Sequence, residues 1–310
     1  MPPLIAFGSC HRLSPHAPSI LPYVASLRPS SYIWTGDTIY PPKDDPTVQG
    51  YDSSLKAMKN SPEYTDLLHV TSGNVEGTWD DHDYGVNDAG MNLPDKAKRQ
   101  ELYLDFLDVP GDDERRARDG VYHRWDISLP GGGVVRVLFL ESWGHFPHSK
   151  RRLLTLLKSS RPRGLLVMSG DVHHAEIAEV QGIKEVTSSG LTHSCDGPWY
   201  GFVCPYMLSS FPLHRDPSNF YYTGKNFGVI DVDDGGMSVK IHDGWGGVVA
   251  ETRVGKGRVE EGFSWEEVPH TLTGEFSRTF GFIVLSLLFV LALAIKLISS
   301  PRKPRKRKKL

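Results

Sequence analysis

Residues 31–40 read Ser31-Tyr32-Ile33-Trp34-Thr35-Gly36-Asp37-Thr38-Ile39-Tyr40. A short apolar run ends on glycine, and a carboxylate and a phenol follow at once. That is the pattern of a buried strand with a loop at its C-terminal end. It recurs on either side. Leu4–Gly8 runs into Ser9-Cys10-His11, and Leu165–Gly170 runs into Asp171-Val172-His173-His174. Val134–Leu140 is a further strand behind the turn Pro130–Gly133, and residues 226–254 read as three strands separated by Asp234-Gly235-Gly236 and Gly244–Gly247. Helical spacing predicts a short helix over Ser19–Leu27 and a longer one over Lys96–Leu107, where Leu102 and Phe106, Tyr103 and Leu107 share a face. Ser149–Ser159 reads as a basic amphipathic helix. The fold class is α/β, with strands in both halves and no internal repeat.

The chemistry follows these strands. Beside Asp37 and Tyr40 stand Cys10, then Asp171 and His173, and a fourth group, Thr78-Trp79-Asp80-Asp81-His82-Asp83-Tyr84. Taken singly, a Gly-Asp after a strand is an ordinary turn and an Asp-rich run a solvated loop. Taken together at strand ends, carboxylates this dense repel one another unless a cation lies among them. His11 and His174 neighbour these residues and read as supporting contacts. Glu141, Trp143 and His145 follow a strand end without a role, and Trp199 and Tyr200 either shape a mouth or simply pack. Cys195 and Cys204 read equally as a disulfide or as two separate thiols.

Composition narrows the class. The chain has 310 residues, 39% hydrophobic and 23% charged, which excludes a disordered chain, and its 3 cysteines exclude a disulfide scaffold. The net charge of −2 conceals an asymmetry. Residues 299–310 carry seven Lys and Arg and no acid; 280–298 carry only Lys296. The body before them is therefore acidic, and no nucleic-acid binding is expected of it. Phe280–Ile298 is apolar all round. Nineteen residues at ~1.5 Å each span roughly 28 Å, close to the ~30 Å hydrocarbon layer, so the stretch reads as a transmembrane helix. A polar linker, 255–279, precedes it, and the basic tail 299–310 reads as its cytosolic flank. That orientation puts the body in a lumen or outside the cell, which requires a signal peptide. The amino terminus enters a strand pattern without one. Otherwise the chain is tail-anchored with a cytosolic body.

The blocks FGSC (7–10), GDTIY (36–40), TWDDHDYGVNDAG (78–90), SGDVHHAEI (169–177) and EVTSSGLTHS (185–194) resemble those of alkaline phosphatase D (PhoD-like) proteins. These belong to the calcineurin-like metallophosphoesterases, and the small eukaryotic membrane-anchored type is the most similar. The matches run from about residue 5 to 230 in chain order, within a domain set at 1–254. The resemblance implies a β-sandwich flanked by helices, with a two-metal site at strand ends that hydrolyses phosphate esters. Carried over residue by residue, it implies that Cys10, Asp37, Tyr40 and His173 hold Fe(III). Asp37 would bridge to a divalent cation (calcium, or magnesium or manganese) also held by Asp81 and Asp171. His82 would contact phosphate or protonate the leaving group, oriented by Asp83, and Asn87 would contact phosphate. Anionic sulfur and oxygen donors suit Fe(III), and an oxygen-rich site suits calcium. The chain departs from the pattern where Leu140 runs directly into Glu141: a strand and helix expected there are missing, which would leave sheet edges unpaired. Two readings follow, a membrane-anchored phosphomonoesterase or phosphodiesterase, and a catalytically impaired, shortened binding protein tethered to a membrane.

Overall fold

A computed structural model describes residues 3–257, apart from 17, 44, 86, 88–92, 130–132, 140–154, 157–158, 161, 181–182, 198–200, 202 and 211–217. All belong to one compact unit, Met1–Trp265. The first half alternates strands and helices: β1 (Leu4–Gly8), α1 (Leu21–Ser26), β2 (Ser31–Thr35), α2 (Val48–Lys59), α3 (Pro62–Val70), β3 (Val75–Thr78), α4 (Asp81–Tyr84) and α5 (Lys96–Phe106). Then come β4 (His123–Ser128), β5 (Val134–Phe139), β6 (Leu166–Ser169), β7 (Ala175–Val180), β8 (Ile183–Ser188), α6 (Val203–Ser210), β9 (Tyr221–Tyr222), β10 (Asn226–Asp233), β11 (Gly236–Asp243) and β12 (Val248–Gly255).

A six-stranded sheet has the order β12-β11-β10-β1-β2-β3; a four-stranded sheet runs β6-β8-β7-β9, and β4-β5 form a hairpin of their own. Strands β1, β2 and β3 are parallel, so their C-terminal ends share one edge. Side chains alternate across a strand, and both faces of β1 and β2 are buried. Ala6, Tyr32 and Trp34 point to a core with Tyr51 of α2, Tyr64 and Leu67 of α3, and Tyr103 of α5. Ile5, Phe7 and Ile33 point the other way, to Ala175, Ile177 and Val186 of the second sheet and to Ile127, Val137 and Phe139 of the hairpin. The result is a mixed α/β sandwich with helices on one side. Thr47 and Ser61 cap α2 and α3 by accepting from Gly50 N and Tyr64 N.

Strands form within the expected 4–8, 31–36, 134–139, 165–170 and 226–254, and helices within 19–27 and 96–107. One differs in environment. The 165–170 run reads as a buried strand, yet every residue of β6 is only half-buried. Among the described residues it pairs with β8 alone and so forms the sheet edge. Residues 140–154, the linker beyond 257, the 280–298 span and the basic tail lie outside the described residues. So do most of the helix expected over 149–159 and the junction at 140/141. Among the described residues no helix is long and apolar enough to cross a membrane. Cys195 and Cys204, left open by the sequence, are joined as a disulfide.

Candidate metal centre

The site forms where β1, β2 and β6 end. Gly170 permits this convergence: a Cβ there would lie 2.4 Å from the Thr35 carbonyl and 2.5 Å from Ser9 Oγ. Beyond the strand ends the backbone turns left-handed at Cys10 (φ 60°), Asp37 (48°), Asp171 (72°) and His173 (59°). That conformation costs roughly 1–2 kcal/mol for an ordinary L-residue, less for Asp. Strain gathered in this way marks functional sites.

The side chains converge on Asp37, which is buried. Its Oδ2 accepts from the Tyr40 hydroxyl at 2.6 Å and lies 3.6 Å from Cys10 Sγ. Tyr40 Oη is also 3.2 Å from His173 Nε2. Cys10 Sγ is 3.0 Å from Ser189 Oγ and 3.5 Å from the Asp171 carbonyl. Ligand atoms of Cys10, Asp37 and His173 lie within 4.8 Å of one another, and so do those of Asp37, Asp81 and His82. Asp37 belongs to both groups. Its Oδ1 is buried without a hydrogen-bond partner among the described residues. A buried carboxylate oxygen left bare, beside a thiol, a phenol and an imidazole, fits a cation.

The local sequence explains the second group. Asp80 caps α4 in a reciprocal box with Asp83, whose carboxylate accepts from Asp80 N at 3.2 Å. Asp83 also accepts from Ile39 N at 3.0 Å. The two carboxylates therefore fix the backbone that carries Asp81 and His82 beside the loop of Asp37. The His82 ring lies 4.2 Å from that of Tyr40.

Charge inside the cluster is unbalanced. Burial, then the charges of Asp80, Asp83 and Asp81, push the Asp37 carboxyl well above its ordinary range. Burial and then Asp171 push Asp80 up in the same way. Burial raises Asp83 to about 7 against three backbone N–H groups that favour its charge. The Cys10 thiol is pushed up by burial and next by Asp37. His173 is lowered to about 4 by burial, then by His82. A cation among these groups would reverse the balance.

Other sequence candidates fall nearby or outside. Asp171 is exposed; its carbonyl reaches Cys10, and its carboxylate lies outside both ligand groups. Asn87 is exposed beyond α4. His11 turns away to Glu63 on α3 at 2.7 Å, and His174 Nδ1 meets the Val172 carbonyl at 2.9 Å. Two residues were not anticipated. The Arg12 guanidinium lies 4.6 Å above the Tyr40 ring, and the His193 ring stands 4.8 Å from Tyr40 and 4.4 Å from His173. Arg12 follows Cys10 by two residues, and His193 sits in the 185–194 block. Those positions were the available signals.

Neither a family model nor a curated protein matches the chain. Among solved structures, PhoD superposes with a TM-score of 0.58 at 13% identity, covering 82% of this chain and 72% of that one. GAP50, the anchor in the inner membrane complex of Plasmodium, gives 0.43 at 11% identity over 86% and 92%. Vacuolar protein sorting 29 from Cryptosporidium parvum gives 0.38 at 13% over 82% and 99%. The chain is thus a mixed α/β sandwich with a fold similar to that of PhoD. The likeness is one of fold.

Proposed function

We propose that the chain is a metal-dependent phosphoric ester hydrolase of PhoD-like type, anchored to a membrane by residues 280–298. The observation that carries this reading is Asp37, buried at a strand end and shared by two groups of ligand atoms. In this reading Cys10, Tyr40, His173 and Asp37 hold Fe(III). Asp37 and Asp81 hold a divalent cation, calcium, magnesium or manganese, and Asp171, whose carboxylate lies outside that group, turns in to complete its shell. The paired cations supply positive charge for an in-line displacement at phosphorus. His82 gives a proton to the leaving oxygen, and Asp83 holds its backbone in place. Asn87 contacts the phosphate. The Cys195–Cys204 disulfide supports a domain in a lumen or outside the cell, with the basic tail cytosolic.

The test is hydrolysis of a phosphomonoester and a phosphodiester by the full chain in detergent, loaded with iron and calcium. Hydrolysis that a chelator abolishes is expected. In the same assay His82→Ala should keep its metal and lose about 10²–10⁴-fold in turnover. A metal-loaded chain that cleaves neither ester overturns the reading. The half-buried edge strand β6 favours the second reading, a tethered binding protein, which that outcome would leave standing.

A further inference from the structure

We propose that His193 is a positioning residue that accepts a hydrogen bond at Nε2 from the water attacking the ester. The role rests on the hydrolase reading above.

The argument begins with Thr192, a buried residue whose hydroxyl makes three contacts. It donates to the Cys10 carbonyl at 3.0 Å and accepts from Arg12 N at 2.9 Å. Its single proton is therefore committed. The third contact, 2.9 Å to His193 Nδ1, has Nδ1–H as the donor. A neutral imidazole protonated at Nδ1 carries a lone pair at Nε2. That Nε2 is shielded from solvent and has no hydrogen-bond partner among the described residues. Buried acceptors are ordinarily satisfied, so a bare one implies a missing donor.

Its surroundings define the donor. The ring stands nearly perpendicular to Tyr40 and His173, at interplanar angles of 74° to each, yet His193 lies outside both ligand groups. It flanks the ligands without joining them. A phosphate ester dianion brings acceptors only, so the water is the reactant with protons to give. As the water oxygen bonds to phosphorus, the ester P–O bond breaks. One water proton stays on the phosphate, and in net the alcohol leaves with the other. His193 moves no proton; it fixes the water so that an oxygen lone pair faces phosphorus.

Two measurements on the full chain test this. Long-range ¹H–¹⁵N spectra of the histidine rings should show His193 as the Nδ1–H tautomer with Nε2 unprotonated. His193→Ala should keep its metal content and KM and lose roughly 10²-fold in kcat. His193→Gln, whose amide oxygen can reach the Nε2 position, should recover to within about tenfold of wild type; a merely structural role would not show that recovery. An Nε2–H tautomer, an unchanged kcat in His193→Ala, or loss of metal from that variant overturns the proposal. Wild type that hydrolyses no ester sinks the hydrolase reading and this role together. Full turnover in His193→Ala sinks this role alone.

Discussion

Asp37 combines three things that folding disfavours. It is buried, its backbone is left-handed, and it sits among other carboxylates. The consequence for stability has a definite sign. Asp83 titrates near 7 in the folded chain because of its burial, and Asp37 and Asp80 are raised in the same direction. Unfolded aspartates titrate near ~3.9. At these three carboxyls the folded state therefore holds more protons, and their contribution to stability is greatest below about pH 4 and declines as pH rises through the folded values; His173, lowered to about 4, acts in the opposite sense between there and ~6.5. Metal-free protein should melt at a lower temperature at pH 8 than at pH 5.5, by roughly 2–4 °C for each kcal/mol lost. Added cation should raise the melting temperature more at pH 8. Calorimetry at both pH values, with and without metal, checks this; a metal-free chain more stable at pH 8 would contradict it. The Tyr40 hydroxyl favours the charge of Asp37 but does not offset burial and the neighbouring carboxylates. In the sequence Asp37 alone reads as an ordinary turn residue; what was legible was the gathering of Cys10, Asp37, Asp81, Asp171 and His173 behind several strand ends.

The elements supply the geometry through their ends. β1 and β2 were legible because both faces are buried and their centres are apolar. β7 and β8 mix apolar and polar residues without a clean period, as in Ala175-Glu176-Ile177-Ala178-Glu179 and Ile183-Lys184-Glu185-Val186. That weaker pattern escaped reading. β3, Val75-Glu76-Gly77-Thr78, is short and polar, and Gly77 serves a close approach that no periodicity reveals: a Cβ there would lie 2.5 Å from Trp34 Cβ. Arg12 and His193 carried only a weak signal, their place beside Cys10 and in the 185–194 block, because tertiary packing brings them to Tyr40. The loop between β2 and α2 packs against the start of α4 through Gly36, with φ of 95° and a Cβ that would meet Asp80 Cβ at 2.6 Å. Gly36→Ala should destabilise the chain by about 1–3 kcal/mol, displace Asp80 and weaken metal retention. Thermal unfolding together with metal analysis reads both effects. A variant with wild-type melting and metal content would show that this approach is not required.

In the whole molecule, an acidic domain precedes an apolar span and a basic tail. If the tail stays cytosolic, an epitope near residue 20 should resist protease in sealed microsomes and be cleaved only after detergent; digestion without detergent would overturn the lumenal placement. The sandwich carries β1 and β2 side by side and brings the end of β6 onto them, so one carboxylate can serve two sites. That sharing is tested most directly by metal stoichiometry of the full chain, wild type against Asp37→Asn. Asparagine tolerates the left-handed backbone, so the variant should fold. Iron and the divalent cation should both fall well below wild-type content, with hydrolysis abolished. Unchanged content of both metals, or full activity, in Asp37→Asn would contradict a shared Asp37.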